Sequence, residues 1–285
     1  MSSGSRLADV GELGLLAELE RRGLAVRIEN DAAELEGGRV VTQDVLVEGV
    51  HFRLDWITWR DLGFRAAAVN LSDLAASGAR PEGLVISLAA PSDTALADVV
   101  ELYEGLAEAG TPVIGGDTSE AGHLVLSVTA IGRSDRVPGR AGAQPGDVLV
   151  VTGPLGASGA AFRHGGYVRP PLRLEEGRTL AQTAHALIDV SDGLARDAGH
   201  VAARSGCRLV VDLDRVPLAK GARLDDLGFG EDYELLAAVP DAGALGFPEI
   251  GRCEEGSGVE LRLRGEPAEL GSFEHFSGGG GTGAV

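Results

Sequence analysis

The sequence predicts a two-domain α+β protein. Its 285 residues suffice for one large domain or two ordinary ones, and a hydrophobic share of 44% can fill a core. Segments with strand and helix periodicity alternate on both sides of a polar stretch that contains glycine and proline. The predicted parts are a first domain, a connector, a second domain and a flexible glycine-rich tail, at residues 1–133, 134–143, 144–276 and 277–285.

Hydrophobic periodicity places the elements in order. An amphipathic helix is expected at 11–25, and a strand at 40–47 puts Thr42 and Asp44 on one face. A long helix around Asp73 comes next. The first domain continues with a strand at 83–90, a helix capped by 92–94 that ends near residue 109, and strands at 113–114 and 124–132. The second domain has strands at 147–152, 208–213, 233–239 and 259–263, and a helix at 194–205 after the segment 188–193.

The charge balance excludes several kinds of partner. The chain has 43 acidic and 25 basic residues, a formal charge of −18, and Lys220 is its one lysine. A basic nucleic-acid surface is therefore not expected, and anionic membranes are equally poor partners. A protein of this charge that handles phosphates needs metal cations, helped by arginines and backbone N–H groups, to offset the repulsion.

Cysteine usage and apolar runs predict the compartment. Cys207 and Cys253 match no zinc or redox spacing, so we expect ordinary buried thiols. The first residues contain no apolar leader core, and no run of 18 apolar residues occurs. We therefore expect a cytoplasmic protein without a membrane segment.

Asp73 is at the centre of the stretch NLSDLAASG. Upstream of it, Phe64, Ala68 and Leu71 recur with the spacing of a buried helical stripe. A short acid within so apolar a helix must be paired, hydrogen-bonded or metal-bound if it is buried. A helix-capping aspartate would lie at the start of the helix instead. This position favours a metal site.

Two further segments place acids beside apolar strands. In GGDT, glycines let a ligand approach the backbone and Asp117 follows, although a plain turn explains this motif equally well. In IDVSDG, either Ser191 or Asp192 could simply cap the following helix. That would leave Asp189 on an apolar strand unexplained. Two acids and a hydroxyl at a helix N-terminus favour a metal–phosphate site.

These acids are interpreted together as ligands of a divalent metal. The set is Asp31, Asp44, Asp73, Asp117, Asp189 and Asp192. His51 and Glu231 are weaker candidates, since a turn histidine is commonly a satisfied polar residue and an acidic group commonly lies on the surface. The chain has neither a P-loop nor a protein-kinase signature, so any use of ATP would be unrelated to those classes.

Five motifs together resemble the thiamine-monophosphate kinase family. It belongs to a superfamily with aminoimidazole ribonucleotide synthetase, selenophosphate synthetase and a hydrogenase maturation dehydratase. The motifs are VTQDVLVEGVHF at 41–52, AVNLSDLAA at 68–76, IGGDT at 114–118, IDVSDGL at 188–194 and GEDYEL at 230–235. Their order and spacing fit from about residue 11 to residue 276. The reactive cysteines expected in the selenophosphate and dehydratase branches are not present in this sequence.

The resemblance implies an aminoimidazole ribonucleotide synthetase-like fold, with an N-terminal α/β dimerisation domain followed by a C-terminal α+β sandwich domain. It implies a homodimer through the first domains, ATP near that interface, several Mg²⁺ ions and thiamine monophosphate as the acceptor. The implied metal ligands are Asp31, Thr42, Asp44, Asp73, Asp117, Asp189 and Asp192, with Asp73, Asp117 and Asp192 as the catalytic set. The implied ATP contacts are Gly116, Asp117, Arg140 and Ser191, and the implied substrate contacts are His51, Glu231 and Phe273.

Two positions depart from the family pattern. The family usually reads Gly-Asp-Asp-Ala where this chain has ENDA at 29–32. Asn30 can still ligate magnesium through its carbonyl oxygen, with less charge, whereas Glu29 would replace a glycine of positive φ only at a cost. The family also more often reads His-Leu-Arg-Pro where this chain has YVRP, beginning at Tyr167.

The acceptor needs no general base, because a phosphate monoester has a second pKa of about 6 and is mostly dianionic near pH 7. The resulting hypothesis is direct, in-line transfer of the γ-phosphate of ATP, with Mg²⁺ offsetting the repulsion between the phosphates. Two alternatives stay open. One is another ATP-dependent enzyme of the superfamily, and the other is a catalytically weakened nucleotide- or thiamine-phosphate-binding protein.

Overall fold

A computed structural model of the chain describes residues 6–26, 29–243 and 245–270. The helices are α1 Leu7–Arg21, α2 Trp59–Ala76, α3 Leu96–Glu108, α4 Ala157–Phe162, α5 Leu174–Ala181 and α6 Leu194–Ser205, with 3-10 helices at Leu213–Arg215 and Leu224–Gly228. The strands are β1 Ala33–Leu35, β2 Arg39–Val47, β3 Arg80–Ala90, β4 Val113–Glu120, β5 Val125–Arg133, β6 Val148–Val151, β7 Ala186–Asp189, β8 Arg208–Asp212, β9 Leu235–Val239, β10 Glu249–Glu254, β11 Gly258–Leu263 and β12 Glu266–Ala268.

The described strands form two mixed sheets. The first has the order β1-β2-β5-β3-β4, and the second has the order β12-β11-β8-β10-β6-β9-β7. Only the β3–β4 pair is parallel in the first sheet, and only the β8–β11 pair in the second. This architecture confirms the predicted α+β fold class. The sheets lie on either side of the predicted connector, and the domain limits themselves stay a prediction.

Helix α2 packs between the two halves of the protein. Of its 18 residues, 14 are buried, and it contacts β2 and β5 of the first sheet as well as α5 and β7 of the second half. Helix α3 also packs closely against it, since a Cβ atom at Gly63 would lie 1.8 Å from the carbonyl oxygen of Leu102. The predicted helix around Asp73 is thereby confirmed, and Asp73 lies where elements of both halves meet.

Several element boundaries differ from the sequence prediction. Helix α1 begins and ends about four residues earlier than expected and contains a kink at Gly11, where φ is 64°. Helix α3 begins after Ala95, which makes no side-chain capping hydrogen bond, so the predicted cap at 92–94 is wrong. The periodicity of apolar residues predicted the presence of both helices but not the residues at which they begin.

Two strand ends were also predicted wrongly. Strand β4 continues through the GGDT motif to Glu120, because this segment pairs in parallel with β3. Strand β9 begins at Leu235 and not at 233, since Glu231 and Tyr233 have positive φ values of 57° and 52° that interrupt an extended chain. Both differences depend on backbone geometry that side-chain periodicity does not encode.

Cys207 and Cys253 are buried and free, as predicted. Within the described ranges, we find no helix that is both long enough and apolar enough to cross a bilayer. The predicted glycine-rich tail lies outside the described residues.

Candidate active site

Three carboxylates from different elements meet beside α2. Asp31 precedes β1, Asp73 belongs to α2, and Asp189 ends β7. One oxygen atom of each lies within 4.8 Å of the other two. The Asp31 side chain is 3% exposed and Asp189 is 2% exposed, whereas Asp73 is half-buried. The sequence predicted all three as ligands of a shared metal, and the fold does bring them together.

Hydroxyl and amide groups hold these carboxylates in place. Thr42 on β2 donates hydrogen bonds to the Asp73 carboxylate and, at 3.2 Å, to the backbone oxygen of Asp31. Ser72 donates to Asp189 at 2.7 Å. Asn70, fully buried one helical turn before Asp73, accepts a hydrogen bond from the backbone N–H of Asp44 at 3.0 Å. These bonds link β2, α2 and β7 around the cluster.

Burial and mutual repulsion raise the pKa values of the clustered acids. The pKa of Asp73 is raised well above its ordinary value by burial first and then by the charges of Asp44, Asp189 and Asp31. Burial and the Asp31 charge raise the pKa of Asp189 to about 8, and burial with Asp31 and Asp192 raises the pKa of Asp44 to about 6. At neutral pH the cluster therefore retains protons unless a cation replaces them.

The donor set fits a magnesium ion. It consists of carboxylate and hydroxyl oxygens without a thiol, and hard divalent cations prefer such ligands. A bound cation would also remove the electrostatic cost of bringing three acids together. A bound divalent cation would thus explain both the raised pKa values and the burial of the carboxylate oxygens.

Arg140 from the predicted connector partly neutralises the cluster. Its guanidinium group contacts one carboxylate oxygen of Asp31 through Nε at 3.0 Å and Nη2 at 2.6 Å. Burial raises the pKa of Asp31, and Arg140 opposes this shift. Arg140, which is predicted to contact ATP, is therefore hydrogen-bonded to Asp31 in this structure.

The segment that departs from the family pattern, at 29–32, contacts the connector. Asn30 accepts a hydrogen bond from the backbone N–H of Arg140 at 3.0 Å. Glu29 is exposed. Asn30 therefore has a structural role in holding the connector against the cluster.

A second group of ligand atoms lies at the start of α6. Atoms of Asp192, Asp197 and His200 lie within 4.8 Å of one another. The Asp197 carboxylate accepts a hydrogen bond from the backbone N–H of Asp192 at 3.0 Å, and Arg196 approaches the Asp192 carboxylate at 3.2 Å. Asp197 is 2% exposed, and burial raises its pKa well above the ordinary value. It fixes the backbone of the predicted ligand Asp192.

The first group and, from the second group, Asp192 border a cavity of about 370 Å³ at the junction of the two sheets. Most of the predicted site residues line it: Asp31, Thr42, Asp44, His51, Asp73, Arg140, Asp189, Ser191, Asp192 and Glu231. His51 lies in the turn after β2, where its Nδ1 accepts a hydrogen bond from the backbone N–H of Val47 at 3.0 Å. The ordinary explanation for a turn histidine thus holds for one ring nitrogen, while the residue also faces the cavity.

The acids of the GEDYEL motif have three different partners. Glu231 pairs with Arg65 of α2, with an oxygen-to-Nη2 distance of 2.6 Å. Asp232 accepts a hydrogen bond at 2.7 Å from the backbone N–H of Gly156, at the start of α4. Glu234 pairs with Arg173 at 2.6 Å. Glu231 alone of these acids lines the cavity.

Two predicted site residues, Gly116 and Asp117, are not brought to the cluster within this chain. Gly116 and Asp117 lie on β4, an exposed edge strand separated from β2 by three inter-strand spacings, about 14 Å. Gly116 also has a packing role, since a Cβ atom there would lie 1.9 Å from the carbonyl oxygen of Ile86. Phe273 lies outside the described residues.

Sequence reasoning missed several residues of the site. Arg65 and Ser72 are buried polar residues of α2, and Asp197 is a buried acid of α6. A lone arginine within the apolar run GFRAAAV is a signal that could have identified Arg65, because a buried guanidinium needs a partner. Its partner Glu231 is 166 residues away, which no local pattern reveals.

Comparisons with known proteins match both halves of the chain. The family model of the N-terminal domain of AIR synthase related proteins matches residues 29–134, and that of their C-terminal domain matches residues 144–261. The thiamine-monophosphate kinase of Aquifex aeolicus is 32% identical, over 95% of this chain and 100% of its own length. That of Mycobacterium tuberculosis H37Rv is 37% identical, over 78% and 76% respectively.

A solved structure of AaThiL in complex with AMPPCP and TMP has the same fold. It superposes with a TM-score of 0.87 at 32% identity and covers 96% of this chain and 100% of that chain. Two domain models and two relatives matched over most of the chain therefore agree on one family. The chain belongs to the AIR synthase-related family, in its thiamine-monophosphate kinase branch.

Proposed function

We propose that the protein transfers the γ-phosphate of ATP to thiamine monophosphate and forms thiamine diphosphate and ADP. The observation that carries this proposal is the convergence of Asp31, Asp73 and Asp189 within 4.8 Å in a cavity between the two sheets. A relative with this fold was solved with an ATP analogue and TMP, which supports the same pair of ligands here.

Magnesium ions, when bound to the aspartates, supply positive charge that lowers the repulsion between the donor and acceptor phosphates. Asp73 is the member of the triad that belongs to α2, and we propose that it would bridge the magnesium ions. Thr42 orients the Asp73 carboxylate through its hydrogen bond. We assign Asp44 and Asp192, at the borders of the same cavity, to further metal contacts.

The reaction requires alignment more than proton transfer. The acceptor phosphate is mostly dianionic near pH 7 and can attack without a general base. In the described part of the chain, the cavity contains no lysine and one histidine, which agrees with a mechanism based on positioning. We infer in-line transfer directly between the two substrates, without a phosphoenzyme.

The residues on β4 are proposed to act in a homodimer. Every residue of β4 is exposed. Its apolar residue Ile114 is 60% exposed, and Leu96 of helix α3 is 79% exposed. A second copy covering this edge would bury these side chains and place Gly116 and Asp117 at the interface. ATP would then bind near that interface, with Arg140 and Ser191 as further contacts.

The substrate end of the cavity is assigned to His51 and Glu231, which both line it. Phe273 stays a predicted substrate contact outside the described residues. A cytoplasmic location and the domain limits 1–133 and 144–276 also belong to the proposal.

A catalytically weakened binding protein is the second candidate. It is favoured by one observation: Arg140 donates a hydrogen bond to the carboxylate of Asp31, a predicted metal ligand. Asn30, which accepts a hydrogen bond from the Arg140 backbone, replaces the acid that the family usually has at that position. The two candidates differ in turnover and not in binding.

The proposal is tested by ADP release from ATP and Mg²⁺, with and without thiamine monophosphate, together with identification of the thiamine product. The kinase predicts ADP release that depends on the acceptor and thiamine diphosphate in equal amount. A protein that thiamine monophosphate stabilises against heat, but that releases no ADP, would instead be a weakened homologue.

A further inference from the structure

A second large cavity lies between the two halves of the protein, and we call it the arginine cavity. It has a volume of about 340 Å³, close to that of the cavity around Asp73. Its lining residues come from Gly78 and the start of β3, from the end of β5 with the connector, and from α5. Among the described residues, none borders both cavities, so the arginine cavity is distinct from the candidate active site.

The arginine cavity concentrates positive charge in a strongly acidic protein. It is bordered by four arginines and two acids: Arg80, Arg133, Arg136, Arg178, Asp135 and Glu175. The whole chain has 43 acidic and 25 basic residues, so the cavity reverses the overall balance of charge. A guanidinium group keeps its proton in proteins, and the two acids offset only half of the four charges. The remaining repulsion between the arginines favours the binding of an anion.

Two of these arginines have structural contacts that leave N–H donors unused. Arg133 donates to Glu82 at 3.2 Å and to the backbone oxygen of Gly37 at 2.8 Å. Arg136 donates to two backbone oxygens at and just after the end of α5. A guanidinium group carries more N–H donors than these contacts occupy. Capping of α5 explains the position of Arg136, but it does not explain why three other arginines border the same cavity.

Arg80 and Arg178 are the arginines most available to a ligand. The Arg80 side chain makes neither a hydrogen bond nor an ion pair with any described residue. Arg178 pairs with Glu175 of its own helix, and the Glu175 side chain is 81% exposed. Such a solvated ion pair stabilises a protein little. An anion in the cavity can therefore contact both guanidinium groups at small cost to the contacts that already exist.

The lining residues also indicate the chemical class of the anion. In the described part of the chain, no aromatic residue borders the arginine cavity, and Ala181 supplies its one apolar side chain. A planar ring would therefore find no stacking surface there. Arginines present paired N–H donors that match the oxygen atoms of phosphate groups. The cavity thus suits the phosphate part of a ligand and not a nucleoside base.

We propose that the arginine cavity is a binding site for a diphosphate group, with Arg80 and Arg178 as its main contacts. A diphosphate has more charge and more oxygen atoms than a single phosphate, so it can contact arginines from both halves of the protein at once. The bound anion offsets the excess positive charge and stabilises the contact between the halves, because it binds only when they are folded together. This site does not depend on the proposed kinase activity.

The test is calorimetric titration of inorganic pyrophosphate into the metal-free protein at constant, low ionic strength. The parent should bind a single molecule per chain. The double variant Arg80→Ala/Arg178→Ala should bind at least about tenfold more weakly, because two charge-assisted contacts are lost. Inorganic phosphate should bind the parent more weakly than pyrophosphate, since it cannot contact arginines of both halves together.

The matched control is the double variant Arg204→Ala/Arg215→Ala. It removes the same charge from two exposed arginines that border neither cavity. Its affinity for pyrophosphate should stay within about twofold of the parent, because the general field of the protein changes equally in both double variants. Pyrophosphate should raise the melting temperature of the parent and of this control more than that of Arg80→Ala/Arg178→Ala.

A conservative variant guards against a folding defect. Arg80→Lys keeps the charge but loses the paired donors, so it should bind pyrophosphate with an affinity between those of the parent and the double variant. Without ligand, its melting temperature should equal that of the parent, because Arg80 has no side-chain partner among the described residues.

Equal affinity of the parent and Arg80→Ala/Arg178→Ala would overturn the proposal, since pyrophosphate would then bind elsewhere. An equal loss in the control variant would overturn it too, because the effect would reflect net charge alone. A parent that binds no pyrophosphate, or that binds inorganic phosphate as tightly, would contradict a diphosphate site. None of these results depends on whether the protein releases ADP, so failure of the kinase proposal is measured separately.

Discussion

Thr42 donates its hydroxyl hydrogen bond to the carboxylate of Asp73 and thereby joins a strand of the first sheet to the buried helix α2. The bond fixes one acid of a triad whose other members come from the segment before β1 and from the end of β7. The site is therefore assembled only when both halves of the protein are folded together. Four variants or conditions test consequences of this arrangement.

Asp73→Asn should lower kcat by more than about a hundredfold, roughly 3 kcal/mol, because a metal-bridging charge is lost. The amide keeps the size of the side chain, so the fold should persist. The measurement is steady-state turnover at saturating ATP and Mg²⁺. Asp225→Asn, at an exposed position of a 3-10 helix, is the matched control and should retain parental turnover. Less than tenfold loss in Asp73→Asn would remove its bridging role.

The metal-free protein should lose stability as pH rises from about 4 to about 8. The folded-state pKa of Asp189 is raised to about 8 and that of Asp44 to about 6, so the folded protein binds more protons than the unfolded chain in this range. The free energy of unfolding then falls with rising pH. Urea unfolding at pH 5 and pH 8 in a chelator measures this difference.

Two comparisons isolate the contribution of the cluster to that pH dependence. Saturating Mg²⁺ should weaken it, because a cation replaces the bound protons. Asp189→Asn should also weaken it in the chelator. An equally steep pH dependence in that variant would show that other groups are responsible.

Gly63→Ala should destabilise the protein and separate α2 from α3. The added methyl group would lie 1.8 Å from the carbonyl oxygen of Leu102, which is backbone and cannot rotate away. Gly199→Ala is the matched control, since it lies within α6 with no atom within 4 Å of the added methyl group. That substitution should stabilise by about 0.5–1 kcal/mol. Thermal unfolding of both variants would contradict the packing argument if their melting temperatures shifted together.

Asn30→Asp should leave kcat within about threefold of the parent. An aspartate can accept the same hydrogen bond from the Arg140 backbone N–H, and the added charge lies beside an arginine. The apparent affinity for Mg²⁺ should rise, because one more carboxylate adjoins the cluster. Initial rates over a Mg²⁺ titration measure both quantities. A gain in kcat of more than tenfold would favour the weakened homologue.

Local periodicity predicted the elements that carry the site. The helix around Asp73 and the helix after Asp192 were located from apolar spacing, and α6 has the predicted bounds Leu194–Ser205. An acid in an apolar helix or strand pointed to the cluster because burial of an unpaired charge is so costly.

Non-local geometry was not predictable in the same way. Strand order placed Asp117 on the far edge of the sheet from Asp44, and no spacing along the chain encodes that order. The pairing of Arg65 with Glu231 likewise depends on how the two halves pack. The unpartnered hydroxyl of Tyr167 could be recognised only once its surroundings were known.

The most direct test of the account follows the transferred phosphate. ATP labelled at the γ-phosphate is incubated with the protein, Mg²⁺ and thiamine monophosphate, and the products are separated. Direct transfer predicts label in thiamine diphosphate and none on the denatured protein. Label on the protein that later moves to the acceptor would contradict direct transfer, and label released only as inorganic phosphate would contradict the kinase activity.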